Sequence, residues 1–122
     1  VCQVTLMDEM EVKMEYNVEE KGGVLVVALV GRLVAACTEE VMEAIMPRMG
    51  ENPKMVLDLS RMSHIDSSGL GMLVQLLQRA TDKGGVVKIA CLQSHPRIVF
   101  DITKAYRVFE IYDSVDAALK SF

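Results

Sequence analysis

Three short, mainly apolar runs alternate with segments of helical periodicity, and this alternation constrains the fold more than any other feature of the sequence. The runs cover residues 24–30, 55–59 and 86–91. Runs of this length are too short to cross a bilayer and are typical of strands that are covered on both faces. Because a helical segment separates each strand from the next, the sequence predicts a mostly parallel sheet with right-handed crossovers.

A hairpin is predicted to open the domain. Apolar and polar residues roughly alternate over 12–18, which is typical of an edge strand, and Gly22 and Gly23 supply the turn into the next strand. Residues 1–11 show little pattern, so we expect an N-terminal arm or frayed segment there and one domain over 12–122. The predicted order of elements is β-β-α-β-α-β-α-β-α, with the first strand antiparallel at an edge.

Capping residues and helical periodicity predict four helices. We expect Thr38 to cap the first helix and Pro47 to end or kink it. Either Asp66 or Ser67 caps the second, and Asp113 caps the last. A short helix is predicted from Ser94 to about Thr103. The inward stripe of the second helix is predicted to be Leu70, Leu73, Val74, Leu77 and Ala80.

Composition excludes several classes of function. The formal net charge is −4 and the basic residues are scattered, so we expect no binding to nucleic acid. The cysteines, Cys2, Cys37 and Cys91, are odd in number and form no Cys-x-x-Cys motif, which favours free thiols over disulfides or a zinc site. The sequence shows neither a signal peptide nor a span, which predicts a cytoplasmic protein without direct membrane insertion.

The segment between the second buried strand and the next helix carries the functional signal. Residues 56–60 read Val-Leu-Asp-Leu-Ser, and residues 66–71 read Asp-Ser-Ser-Gly-Leu-Gly. The small residues leave the Ser67 hydroxyl and the first amides of a helix accessible, and a helix N-terminus accommodates a phosphate well. Phosphorylation of Ser67 would add roughly −1.5 to −2 charges, so it would alter an interface rather than unfold the domain.

This segment resembles the signature of the STAS family, specifically the bacterial anti-sigma factor antagonists (anti-anti-sigma factors). The resemblance spans about residues 12–122. It includes Gly-Arg-Leu at 31–33, Gly-Gly at 84–85, Ser-His-Pro-Arg at 94–97 and the terminal segment 108–114. The resemblance implies an α/β fold consisting of a single STAS-like domain.

The resemblance also implies a partner switch controlled by phosphorylation of Ser67. In the family, the unphosphorylated antagonist binds an anti-sigma factor that is also a serine kinase, and a sigma factor is released. Phosphorylation of the antagonist dissociates the complex, and a PP2C-type phosphatase restores the unphosphorylated antagonist. ATP and magnesium belong to the kinase, so no cofactor is expected here. The candidate partner-binding residues are His64, Asp66, Ser67, Ser68, Gly69 and Met72.

One departure from the family pattern leaves an alternative open. Phosphorylated members usually carry an acidic residue after Gly-x-Leu, whereas Val34 occupies that position here and Ala35, Ala36 and Cys37 follow it. This favours the alternative of a regulatory or scaffold subunit, for example of a lipid-transport ABC complex, that acts without phosphorylation.

Enzyme and receiver functions have less support. Asp58 ends a strand as a receiver aspartate does, but no acidic pair follows an earlier strand to hold magnesium. Ser67, His64 and Asp66 lie too close in sequence for a hydrolytic triad. Gly69-x-Gly71 lacks the third glycine of a dinucleotide loop, and His64 and His95 have no partners at metal-ligand spacing. We therefore expect a protein that is not an enzyme.

Overall fold

The computed structural model describes residues 2–5 and 14–122, without the side chains of residues 2–5, 14, 36 and 37. The strands in this part of the chain are β1 Cys2–Thr5, β2 Met14–Lys21, β3 Val24–Leu33, β4 Lys54–Asp58, β5 Met62–Ile65, β6 Val86–Ala90 and β7 Glu110–Tyr112. The helices are α1 Ala35–Ile45, α2 Ser67–Asp82, α3 Ser94–Thr103 and α4 Val115–Lys120, with 3-10 turns at Met46–Arg48 and Ala105–Arg107.

The strands form one mixed sheet in the order β1-β2-β3-β4-β6-β7, and β5 pairs with the end of β3. The pairs β1–β2 and β2–β3 are antiparallel, and the pairs β3–β4, β3–β5, β4–β6 and β6–β7 are parallel. This architecture confirms the predicted α/β fold, in which the first strands pair antiparallel and the rest of the sheet is parallel. None of the described helices is long and apolar enough to span a membrane.

The sheet is covered unequally on its two faces. The main core lies between one face and helices α1, α2 and α3, and its fully buried members include Leu29, Leu57, Leu73 and Phe100. Alternate residues on the same strands point to the other face, where the short helix α4 covers a second cluster of Val24, Val26, Val56, Ala90 and Ala118. Burial on both faces explains why the central strands read as nearly continuous apolar runs.

Two strands lie where none is predicted. Residues 2–5 pair with β2 in the register Cys2↔Val18, so β2 is internal rather than at the edge, and residues 6–13 lie outside the described residues. Residues 62–65, between the second buried strand and the next helix, form β5 alongside β3. Gly31 has a φ of 102°, and the register of this pair shifts there, which bends the end of β3 toward β5. Both extra strands are four residues long, too short for a periodic signal.

Two predicted helix caps are wrong. Helix α1 begins at Ala35 rather than after Thr38, whose hydroxyl instead donates to the Ala35 carbonyl at 3.3 Å. Helix α4 is capped by Ser114, whose side chain accepts from the Ala117 amide at 3.0 Å, and not by Asp113. The amide of Ala35 at the start of α1 is capped by the side chain of Asp66, 31 residues away, so the local sequence cannot reveal this cap.

Lys88, a buried lysine on β6, links helix α4 and the residues that follow it to the sheet. The Lys88 side chain is 7% exposed, and its Nζ donates to the Ser121 hydroxyl at 2.6 Å and the Ser121 carbonyl at 3.2 Å. The ammonium lies 4.4 Å from the centre of the Phe122 ring and 3.5 Å from a Glu110 carboxylate oxygen. A hydrogen bond from Tyr112, together with Lys88, holds the pKa of the Glu110 carboxyl below its usual value.

We expect Lys88→Ala to lower the free energy of unfolding by about 2 kcal/mol, because it removes the buried side-chain stem and the bonds to Ser121. Lys88→Met keeps the volume of the stem and needs no charge partner, so its loss should stay within about 1 kcal/mol. Urea unfolding followed by circular dichroism measures both. Equal losses for the two variants would show that the charge, and not the packing, holds α4.

Candidate functional site

The pairing of β3 with β5 places two helix N-termini side by side at the carboxyl edge of the sheet. Leu33 and Ile65 are neighbours in register, and the Asp66 amide donates to the Leu33 carbonyl at 3.2 Å. Helix α1 begins two residues after Leu33 and helix α2 two residues after Ile65. The first turns of both helices therefore open on the same surface, beyond the strand ends where partner sites of parallel sheets lie.

The Asp66 carboxylate bridges these two helices. One oxygen accepts from the Gly69 amide at 2.8 Å, so that Asp66, and not Ser67, is the cap of α2 among the two predicted, and the other accepts from the Ala35 amide at 3.3 Å. Val34 occupies the N-cap position of α1 and has no side-chain acceptor, so Asp66 supplies it from the neighbouring segment. Asp66 is half-buried beneath the surface, where it positions the site.

Ser67 and Ser68 are the first two residues of α2, and both are exposed. Among the described residues, none forms a hydrogen bond with the Ser67 hydroxyl. The first amides of a helix have no partner within the helix, and Asp66 satisfies only the one at Gly69. Ser67 thus presents a free hydroxyl beside unpaired amides at the positive end of the α2 dipole.

The other predicted site residues differ in exposure. Gly69 is buried against the Leu33 carbonyl and the Ile65 side chain, and Met72 is 3% exposed. His64 is exposed on β5, with Nδ1 lying 3.1 Å from the Ser63 hydroxyl and its ring centre 4.5 Å from that of His95. The structure therefore brings the two serines to the surface above Asp66 and Gly69.

A groove of about 830 Å³ lies between α1 and α2, next to the two serines, and sequence reasoning missed it. Met42 lines it from α1 and Met46 from the 3-10 turn that follows, while Ser68, Gly71 and Met72 line it from α2. The available signal was the spacing of Met42 and Met46, which are four residues apart and so share one helical face. Both are half-buried in the structure. From sequence alone, methionines at such positions are more often core residues, which is why the spacing does not by itself predict a groove.

Two groups near the strand ends that could carry chemistry, Asp58 and Cys91, have structural surroundings instead. Asp58 accepts a hydrogen bond from the Ser60 amide at 3.0 Å, which caps the end of β4. Burial, together with the nearby Asp58 carboxylate, raises the pKa of the Cys91 thiol, which disfavours the thiolate. Among the side chains that the structure describes, no three potential metal ligands converge.

We expect Asp66→Ala to lower the free energy of unfolding by about 1–2 kcal/mol, because it leaves the Gly69 and Ala35 amides without acceptors at two helix starts. Asp101→Ala is the control, since Asp101 is exposed on α3 and caps no helix. Thermal and urea unfolding measure both variants. A loss at Asp66 no greater than that at Asp101 would contradict the bridging role.

Comparison with known proteins places this geometry in a family. Residues 15–118 match the model of the STAS domain. The chain is 29% identical to an anti-sigma F factor antagonist of Paenibacillus polymyxa over 110 residues, which is 87% of this chain and 92% of that protein. It is 26% identical to BtrV, a candidate anti-sigma factor antagonist of Bordetella bronchiseptica, over 89% of this chain and 95% of the relative.

Solved structures share the fold. An anti-sigma factor antagonist from Mycobacterium paratuberculosis superimposes with a TM-score of 0.80 at 24% identity, over 88% of this chain and 92% of that one. The phosphorylated form of the Bacillus protein SpoIIAA gives 0.68 at 17%, over 87% and 97%. A sulfate transporter family protein from Wolinella succinogenes gives 0.72 at 16%, over 84% and 87%. With the family model matching most of its length and the same sheet and helices around the Asp66–Ser67 turn, the chain belongs to the STAS domain family.

Proposed function

We propose that this chain is an anti-sigma factor antagonist that binds a serine-kinase-type anti-sigma factor through the surface around Ser67. The observation that carries the proposal is the free, exposed Ser67 hydroxyl at the start of α2. Ser67 and Ser68 form the centre of the contact. Asp66 and Gly69 hold that turn in place from below, Met72 lines the adjoining groove and His64 lies at its border.

Phosphorylation of Ser67 then acts as the switch. The unpaired amides and the dipole of α2 accommodate a phosphate, so the fold tolerates the modification. A partner surface fitted to the neutral hydroxyl does not tolerate it, because the added charge of roughly −1.5 to −2 must be stripped of water at the contact. The Asp66 carboxylate directly beneath makes the modified surface still more negative.

In this scheme the chain is a substrate and a binding partner, and it catalyses no reaction itself. The anti-sigma kinase supplies ATP and magnesium, a PP2C-type phosphatase removes the phosphate, and all three proteins act in the cytoplasm. Release of the sigma factor follows when the unphosphorylated chain occupies the anti-sigma factor. Antagonist names among the curated relatives support this assignment.

The direct test is to incubate the purified chain with serine-kinase-type anti-sigma factors from the same genome and ATP, and to map the phosphate by mass spectrometry. We expect one phosphate on Ser67, its absence in Ser67→Ala and its retention in Ser68→Ala. Phosphate on Ser68 alone, or elsewhere in the chain, would refute the assignment of Ser67.

A second candidate is a STAS subunit that regulates or scaffolds a transporter without phosphorylation. Val34, an apolar N-cap where phosphorylated members usually carry an acidic residue, favours it, and so does the fold shared with a sulfate transporter family protein. Neighbouring genes separate the two functions, because a kinase-type anti-sigma gene supports the switch and lipid-transport permease genes support the subunit.

A further inference from the structure

We propose that the groove between α1 and α2 receives a basic amphipathic helix of the anti-sigma factor, and that Gly71 keeps α2 bare so that this helix can approach its backbone. The inference rests on the proposed function and deepens it, because it names the second contact surface and the chemistry of the segment that fills it.

Gly71 has no explanation within the fold. It lies inside α2, where glycine is the least favourable residue after proline, and its backbone is not in the left-handed region. A Cβ built there meets no atom within 4 Å, so no neighbour forbids a side chain. At Gly69, two residues earlier, a Cβ would overlap the Leu33 carbonyl, so that glycine is required by packing.

Gly71 also lies on the surface that carries Ser67. Residues four apart in a helix share a face, so the bare Cα of Gly71 is one turn below the Ser67 hydroxyl. A partner that contacts Ser67 and continues along α2 therefore passes directly over Gly71. Close approach to a helix backbone is a role that only the smallest residue permits.

The shape of the groove fits a helix of about three turns. Its α2 side runs from Ser68 to Arg79, which corresponds to about 16 Å along the helix. Met42, Met46 and Met72 line it with flexible apolar side chains, which adapt to an apolar anchor from a partner. A single amphipathic helix presents such anchors at intervals of three or four residues.

The charge of the groove selects the occupant. Glu39 and Glu43 are exposed on the α1 wall one turn apart, and neither forms an ion pair with another described residue. Arg79 lies at the far end of the α2 wall, so acidic side chains outnumber basic ones in the lining by two to one. A helix that brings lysine or arginine to this wall is complementary to it. A second copy of this chain is disfavoured, because its net charge is −4.

The groove attracts the basic partner helix, whereas the phosphate on Ser67 drives it away. These two effects are compatible because they act at different places. The basic residues of the partner engage the α1 wall at Glu39 and Glu43, whereas the phosphate stands on α2, one turn above Gly71. At that position the phosphate holds the backbone of the partner helix away from the backbone of α2, which removes the close contact that Gly71 permits.

The test measures the dissociation constant of a purified serine-kinase-type anti-sigma factor from the same genome for the full chain and its variants. We expect Gly71→Ala to raise the urea midpoint of unfolding and still weaken binding about tenfold, and Gly71→Gln to weaken it about a hundredfold. Glu39→Lys combined with Glu43→Lys should weaken binding about tenfold and reduce its dependence on salt. Glu51→Lys, in an exposed loop outside the groove, is the control and should change affinity less than about twofold.

The outcomes separate the two proposals. If the wild-type chain binds the anti-sigma factor but both Gly71 variants, or the charge reversal, bind like the Glu51→Lys control, the groove proposal is overturned and the proposed function stands. If the wild-type chain binds none of the anti-sigma kinases, the proposed function fails and this inference fails with it.

Discussion

Replacing Gly69 with alanine is expected to lower the free energy of unfolding by about 3 kcal/mol. Gly69 is buried in the first turn of α2, and an added Cβ would overlap the Leu33 carbonyl oxygen and lie 2.9 Å from Cγ1 of Ile65. A carbonyl oxygen cannot move aside as the end of a flexible side chain can. The start of α2 must therefore shift away from β3, which also strains the Asp66 bridge to the Gly69 and Ala35 amides.

Gly71→Ala is the matched control, because it adds the same methyl group to the same helix two residues further on. The added Cβ meets no atom within 4 Å, so alanine should stabilise α2 by up to about 1 kcal/mol. Urea unfolding of both variants gives the comparison directly. Similar stabilities for the two variants would show that the Leu33 carbonyl does not limit the approach of α2.

The sequence predicts the parts of this fold that local signals determine. The central strands, the Gly22–Gly23 turn and the end of the first helix near Pro47 follow from apolar runs, glycines and a proline. Helix α3 covers Ser94–Thr103, the range predicted from the Ser-His-Pro start. In each case the residues that decide the boundary lie within a few positions of it.

The parts that the sequence does not predict depend on contacts between distant segments. Asp66 caps α1 from 31 residues away, so Thr38 looked like the better cap. Met72 and Leu76 are buried in addition to the predicted stripe, whereas Val74 and Leu77 of that stripe are only half-buried. Helix α2 packs against both the sheet and α1, so its apolar arc is wider than the single face that a 3.6-residue period reveals.

For the site, the motif identified Ser67 but not the architecture that presents it. The cap at Asp66 and the exposure of Ser67 could be expected from the small residues at 66–71. The pairing of β5 with β3, which sets α1 beside α2 and so creates the groove, could not. Its four residues, Met-Ser-His-Ile, are too few to distinguish a strand from a loop.

Ser67→Asp is expected to weaken binding of the anti-sigma factor about 5- to 150-fold, or about 1–3 kcal/mol, while leaving the stability of the fold nearly unchanged. The loss of affinity follows from placing a carboxylate where the partner fits a neutral hydroxyl, since the charge must be desolvated without a counter-ion. The stability is spared because an acidic side chain in the first turn of α2 interacts favourably with the helix dipole.

Ser94→Asp provides the matched control for this change. Ser94 is the exposed first residue of α3, as Ser67 is of α2, so both substitutions add one negative charge to a helix start. Their effects on melting temperature should therefore be alike, whereas only Ser67→Asp should lower the affinity measured by calorimetry. A large fall in melting temperature confined to Ser67→Asp would show that this substitution acts by destabilising the fold and not through the contact with the partner. Equal affinities for the two variants would show that the partner does not contact the start of α2.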